Sequence, residues 1–280
     1  MIGDARETMI KLSMPRNDRG VALLIVLLVT ALLIALIFEF SYATRISLNS
    51  AVNFRDSQRA YFLARSGIFA FIKYGDKLRD TYIPQGEWGV VPMISDGDTQ
   101  VMIKWEDEKG KIKISMIRKP TLPSATPFDW MTQLFFYKKI NQEILDTISE
   151  NQMIFQVPTE LHKVMSDEDF YKIESFVTTM TSDNSINIKT ASREVLEAIG
   201  ISQAERLIAD RKNIKLETAP DVRLYFPSEQ VYGSVSSYLS FSSTIYKIYS
   251  YATVGGYTKQ IEAIVNVGNP QNPILYWRSL

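Results

Sequence analysis

"RGVALLIVLLVTALLIALIFEF", residues 19–40, decides how the rest of the chain is to be read. Val21 to Phe38 is an apolar run of 18 residues without a charge. At about 1.5 Å of rise per residue it comes close to roughly 30 Å of hydrocarbon, which makes it a candidate membrane span. Lys11, Arg16 and Arg19 precede the run, and Glu39 and Arg45 come after it. A basic leading segment stays on the cytoplasmic side, so the remainder of the chain is expected to cross. The small residue, Gly20, stands in front of the apolar run and not behind it.

A secretory signal peptide is the blander reading of a basic segment before an apolar run. It needs an apolar region of about 7–15 residues and then a small-x-small cleavage site. Ser41-Tyr42-Ala43 fits such a site, with a mature chain starting at Thr44, but the run is too long. The residues after the run also argue against it. From Glu39 to Lys77 there is no proline, and only Gly67 and Gly75 interrupt. Ile46, Val52, Phe54, Tyr61, Phe62, Ile68, Phe69 and Ile72 recur at helical spacing. The sequence therefore predicts one unbroken helix of about 55 residues, half in the membrane and half outside.

The totals narrow the chemistry. The chain has 280 residues, enough for one large domain or two small ones. Its 31 Lys+Arg balance 31 Asp+Glu, so no bulk charge points to nucleic acid or to an acidic surface. The absence of cysteine excludes disulfides, thiolate zinc sites and cysteine nucleophiles together. His162 is the only histidine, which excludes a two-histidine metal site. There is no nucleophile elbow, phosphate loop or metalloprotease motif, and no enzyme is expected.

Beyond the helix, Gln85–Asp98 is rich in Pro, Gly and Asp and reads as loop. Gln100–Glu106 and Lys111–Ile117 alternate apolar and polar about Asp107-Glu108-Lys109-Gly110, the pattern of a hairpin. Pro120, Pro123 and Pro127 mark a boundary. From Asp129 to Arg211 the signals are helical: "WMTQLFFYKKINQEILDTI" (130–148), then Ser166 with Asp169 as a weak capping box, then Thr190 to Ala198. Past Pro227, residues 240–279 read as strands with Gly255-Gly256 at a turn. The expected class is α+β. A long helix over 21–80, in the membrane over 21–38, leads into an antiparallel sheet from 81–125 and 216–280. A helical insertion, 126–215, interrupts that sheet domain.

Four segments then carry a family resemblance: "DSQRAYFLARSGI" (56–68), "WEDEKGKIKISMI" (105–117), "SINIKTASREVLEAIGIS" (185–202) and "SYATVGGYTKQIEAIVNV" (250–267). With the basic leader and the apolar helix, they resemble the minor pseudopilin K family of type II secretion systems, general secretion pathway protein K. The resemblance runs with gaps over most of residues 16–280 and implies a pilin-like fold. It implies that a prepilin peptidase removes residues 1–20 by cutting between Gly20 and Val21, and that Val21 is then N-methylated. It thus explains the position of Gly20, because that cut discards the leader and keeps the apolar helix. A start at Met14 would give the shorter leader "MPRNDRG", a more usual length. Most pilins carry glutamate five residues after the cut. Here that residue is Ile25, a substitution the K family shares.

The resemblance further implies a single-pass protein of the bacterial inner membrane with its body in the periplasm. There it would cap the tip of the pseudopilus with other minor pseudopilins, I-like and J-like. The bulk of the insertion suits a cap, since it would clash with subunits stacked above it. A minor pilin of a type IV pilus is the alternative within the same structural class. The family usually carries an acidic stretch here and some of its members bind calcium, but the corresponding "EILDTISENQMIFQVPTELHKV" (143–164) has Asp146 and Glu150 and no such cluster. No cofactor is expected and no calcium ligands are assigned.

Two rival chemistries remain. "INIKTASREVLEAIGISQAERLIADRK" (186–212) also looks like a helix-hairpin-helix DNA-binding unit, in which N–H groups at a Gly-x-Gly turn hold phosphate. Its turn is Gly200-Ile201-Ser202, lacking the second glycine, and residues 186–215 hold six basic against four acidic side chains. No nucleic-acid partner is expected on that balance. The acids Asp96/Asp98 and Asp167/Glu168/Asp169 offer oxygens for calcium. A turn and a helix N-terminus account for them as well.

Overall fold

The computed structural model describes residues 18–74, 89–115, 117–120, 126–181, 183–211, 213–214 and 216–280. The chain divides into two units, residues 1–55 and 56–280. One helix, α1 (Asp18–Tyr74), runs for 57 residues. In the first unit every residue from 20 to 55 is exposed. Its apolar part is apolar on all sides and has no protein partner, the pattern of a helix whose solvent is lipid. Among the described residues this is the one helix long and apolar enough to cross a membrane. Residues 1–17 of the expected leader, with the Met14 start, lie outside the described residues.

In the second unit α1 becomes one-sided. Asp56, Ala60, Ala64, Gly67, Ile68 and Phe71 are buried and share one face at steps of three and four. Ile68 is the one fully buried member of the aromatic and branched set that the helical spacing drew attention to; Phe62 and Phe69 face solvent. Small residues make the contact instead. A Cβ added at Gly67 would stand 2.3 Å from Ser250 Oγ, so glycine lets the helix lie close against the strand beneath it.

That strand belongs to a five-stranded sheet, antiparallel throughout: β1 (Gly89–Asp96), β2 (Thr99–Asp107), β7 (Ile245–Val254), β8 (Tyr257–Asn266) and β9 (Ile274–Ser279), in that spatial order. Val101, Ile103, Trp105, Ile248, Ile261, Ala263 and Val265 alternate onto the face that meets Ala64, Ile68 and Phe71. Gly255-Gly256 turns β7 into β8, with φ of 54° and 84° as a mirror-image hairpin turn requires.

Two expectations are corrected. Within the stretch expected as loop, Gly89–Asp96 is β1, paired to β2 with an irregularity between Pro92 and Ile94. β1 lies at the edge of the sheet, where proline's missing N–H is tolerated. Nor do Gln100–Glu106 and Lys111–Ile117 form a hairpin. β2 pairs with β7, and a 3-10 turn at Glu108–Gly110 sends the chain out of the sheet. The next strand, β3 (Ile112–Lys113), pairs in parallel with β4 (Val177–Thr178). Ile112, Ile114 and Ile117 are fully buried there, in a second core, and that burial outweighs the local hairpin pattern.

The second core is helical. Its elements are α2 (Pro127–Lys138), α3 (Glu143–Glu150), α4 (Asp167–Ile173), α5 (Arg193–Ala198), α6 (Ala204–Asp210) and α7 (Glu229–Val235), with a parallel bridge between β5 (Ile186–Asn187) and β6 (Leu239–Ser240). Each helix is short, and four of them start at a side-chain cap. Thr126 and Asp129 form a capping box ahead of Pro127. Ser166, Ser192 and Ser228 cap α4, α5 and α7 with their hydroxyls. Met131, Leu134 and Phe135 of α2 pack with Leu145, Ile148, Phe170, Leu196 and Leu207. This core draws on residues from Ile112 to Val235. The fold is α+β, as the sequence reading expected.

Candidate functional site

Gly20, Val21 and Ile25 sit on the first described turns of α1, all exposed. Ile25 lies four residues beyond Val21, on the same helix face one turn further on. Gly20, Val21 and Ile25 thus lie close together in sequence on the apolar half of the helix.

The most polar buried cluster was not singled out from sequence. It stands where the chain leaves the sheet. Asp107, the last residue of β2, accepts from Lys109 N on Oδ1 (2.8 Å), and from Asn187 Nδ2 (2.7 Å) and Thr190 Oγ1 (2.6 Å) on Oδ2. Burial pushes its carboxyl above the ordinary value, although these donors act in the opposite direction. Beside it, Glu108 accepts from Lys111 Nζ (2.8 Å) and Thr178 Oγ1 (2.5 Å), and Lys111 also reaches Glu106 (3.1 Å). Burial alone would lower the Lys111 ammonium, but Glu108 and Glu106 outweigh it and hold it above its ordinary value. A lysine kept protonated and carboxylates saturated with donors make no nucleophile. They make a clamp between sheet and helical core.

Gly110 completes the clamp. A Cβ there would stand 2.9 Å from Thr190 Oγ1 and 3.2 Å from the Ala191 nitrogen. The segments 105–117 and 185–202, which resemble family motifs separately, are two sides of one contact. The signal for it was present: three acids and a glycine at the end of an alternating strand, with Asn187-x-x-Thr190 elsewhere. Pairing them required the fold.

The helix-hairpin-helix segment is closed on itself. α5 ends in a Schellman motif at Gly200, whose φ is 97°, with Ile201 N on Leu196 O (3.0 Å) and Gly200 N on Glu197 O (3.0 Å). Gln203 N and Ser202 Oγ both donate to Tyr225 O (3.2 and 3.3 Å). The backbone donors that would hold phosphate are thus used by the chain itself. Of the bases, Arg193 pairs with Glu197 and Glu205, Arg206 with Asp210, and buried Arg211 donates to Ile188 O and Ala191 O. The turn instead lines a groove of about 600 Å³ with Trp130, Gln133 and Tyr137 of α2 and Val231, Ser234 and Val235 of α7. Asp129 and Glu197 are its charged lining residues. This surface repels a phosphate.

Three of the acids considered for calcium are engaged in ion pairs, and Asp98 is exposed. Asp167 pairs with His162 (2.8 Å), and Glu168 and Asp169 both pair with Lys172 (3.0 and 2.9 Å). The Asp96 side chain lies outside the described residues. Among the described residues no three His, Cys, Asp or Glu side chains converge as a metal site.

No protein-family model matches the chain, and no curated protein matches it. Among solved structures the chain is similar to a chain of the GspK–GspI–GspJ complex of the type 2 secretion system of enterotoxigenic Escherichia coli. The TM-score is 0.65 at 14% identity, over 82% of this chain and 99% of that one. The likeness is one of fold.

Proposed function

We propose that this protein is a minor pseudopilin of a type II secretion system, K-like, that caps the tip of the periplasmic pseudopilus and so supports protein export across the outer membrane. The observation that carries the reading is the division of α1. Its first half is bare and apolar on every face, and its second half is the packing helix of an antiparallel sheet. A signal peptide would have no reason to continue into a packed helix. The partners are I-like and J-like minor pseudopilins, and the prepilin peptidase acts before them. The helical unit is the insertion that sets a tip subunit apart from those stacked below.

Ile25 supports the place at the tip. A glutamate at that depth costs on the order of 2.5–3.5 kcal/mol on insertion scales unless something neutralises it. In an ordinary pilin the resemblance implies that the methylated amino terminus of a neighbouring subunit is the partner. A subunit that enters first has no such neighbour, and isoleucine removes the cost.

The test is mass spectrometry of the mature chain, which should begin at N-methylated Val21. Gly20→Leu should retain the leader, because the peptidase must accommodate that residue closely. A mature start at Thr44 would overturn the reading. Ile25→Glu should not improve export. Better export, with crosslinks still confined to tip partners, would remove the tip argument. Deleting the gene should stop protein export; loss of pili instead would assign the same fold to a type IV pilus.

A further inference from the structure

The groove at the α5–α6 turn has no part in the proposed function. Its volume, about 600 Å³, falls within the range of formed ligand sites. Trp130 and Ile201 line it from the core, almost fully buried, Val231 is partly open to it, and Tyr137 stands half exposed at its rim. The neighbouring Phe136 is 72% exposed, an aromatic ring left in water beside the opening.

The charge of the groove selects its occupant. Asp129 and Glu197 line it and no basic side chain does. Asp129 is held by Thr126 N and Oγ1 (2.9 and 2.7 Å), and Glu197 by Arg193 Nε (2.6 Å) from one side. Both carboxylates keep lone pairs free for a further donor. A bare metal ion would need more ligands than these two carboxylates supply. An anion is repelled. A guanidinium or ammonium group on an apolar stem satisfies both the walls and the charge, since such a cation gains from an aromatic face as well as from carboxylates.

We infer that this groove docks a basic segment of a partner polypeptide, seating one arginine or lysine side chain beside Glu197 and against Val231 and Tyr137. The backbone of the Gly200 turn keeps the groove open. A side chain at that position would meet Val231 Cγ1 at 2.9 Å.

The test uses the full-length chain in non-ionic detergent, with its 4 tryptophans replaced by fluorotryptophan and the Trp130 resonance assigned through Trp130→Phe. The probe is the capped dipeptide acetyl-Leu-Arg-amide, raised to roughly 10 mM, and the control is acetyl-Leu-Glu-amide. The Trp130 resonance should move saturably with the arginine probe alone, and the other three should stay in place. Glu197→Gln should weaken the response about five-fold. Because that change also releases Arg193, Ser234→Arg serves as the second variant. It places a tethered guanidinium at the groove from the exposed side of α7 and should block the probe. An unmoved Trp130 resonance, an equal response to the glutamate control, or unaltered probe binding in either variant would each overturn the inference.

Discussion

In the helix–sheet core α1 contributes Ala64, Gly67 and Ile68, and the sheet contributes an alternating row of branched and aromatic side chains. In the helical core α2 contributes Met131, Leu134 and Phe135, and its partners are short helices and two-residue bridges. The first core is closed by backbones coming near each other, the second by large side chains filling the space between elements. The difference lies in what a substitution does. Added volume damages the first, and removed volume damages the second.

The largest effect should come from Phe135→Ala, which leaves a cavity at a fully buried position and should cost about 3–5 kcal/mol in denaturant unfolding. Hydrogen exchange makes the comparison sharper. Amides of α2 and α5 should lose protection in this variant while β7 and β8 keep theirs. Equal loss in both would mean that the two cores unfold as one.

Gly67→Ala should cost about 1–3 kcal/mol, since the new methyl collides with Ser250 Oγ. Adding Ser250→Ala should recover part of that loss. No recovery would place the strain elsewhere in the helix–sheet contact.

Between the cores, Asp107 links stability to pH. Burial raises its folded pKa above the ordinary 3.8, so the folded state holds the proton more tightly. Its contribution is fully present below 3.8 and is lost as pH rises through the raised folded value. The deficit of Asp107→Asn relative to the parent should therefore be larger near about pH 4 than near about pH 8. A deficit that grows with pH would show that the ionised carboxylate is the stabilising form. Phe62→Ala, on the exposed face of α1, should stay within about 0.5 kcal/mol of the parent in thermal melting.

The helix–sheet core was the more legible in sequence. The helix read over residues 46–72 and the strands about Gly255-Gly256 both survive in the structure, because long regular elements repeat their signal. What the aromatic residues concealed was the facing. Phe62 and Phe69 caught attention by size, while Ala60, Ala64 and Gly67 held the contact. β1 was missed because its Pro and Gly content reads as turn, and only pairing with β2 makes it a strand. In the helical core the cap at Ser166 and the helical segment Thr190–Ala198 were visible, but Asn187–Asp107 was not. That hydrogen bond joins residues far apart in sequence, and no local pattern encodes it.

The register of β2 against β7 has a kinetic consequence. Asp107 lies opposite Tyr246, so two neighbouring strands are joined only through the whole helical body. Loop-closure entropy grows slowly with length, but it must be met before a ladder this remote can return anything. Folding the helical body first would bring residues 107 and 246 together, and the ladder would then extend from that point as a hairpin extends from its turn. In stopped-flow folding, Phe135→Ala should then slow refolding, while Gly67→Ala should chiefly hasten unfolding. The reverse assignment would mean that the sheet closes first and the helical body folds inside a loop already tied.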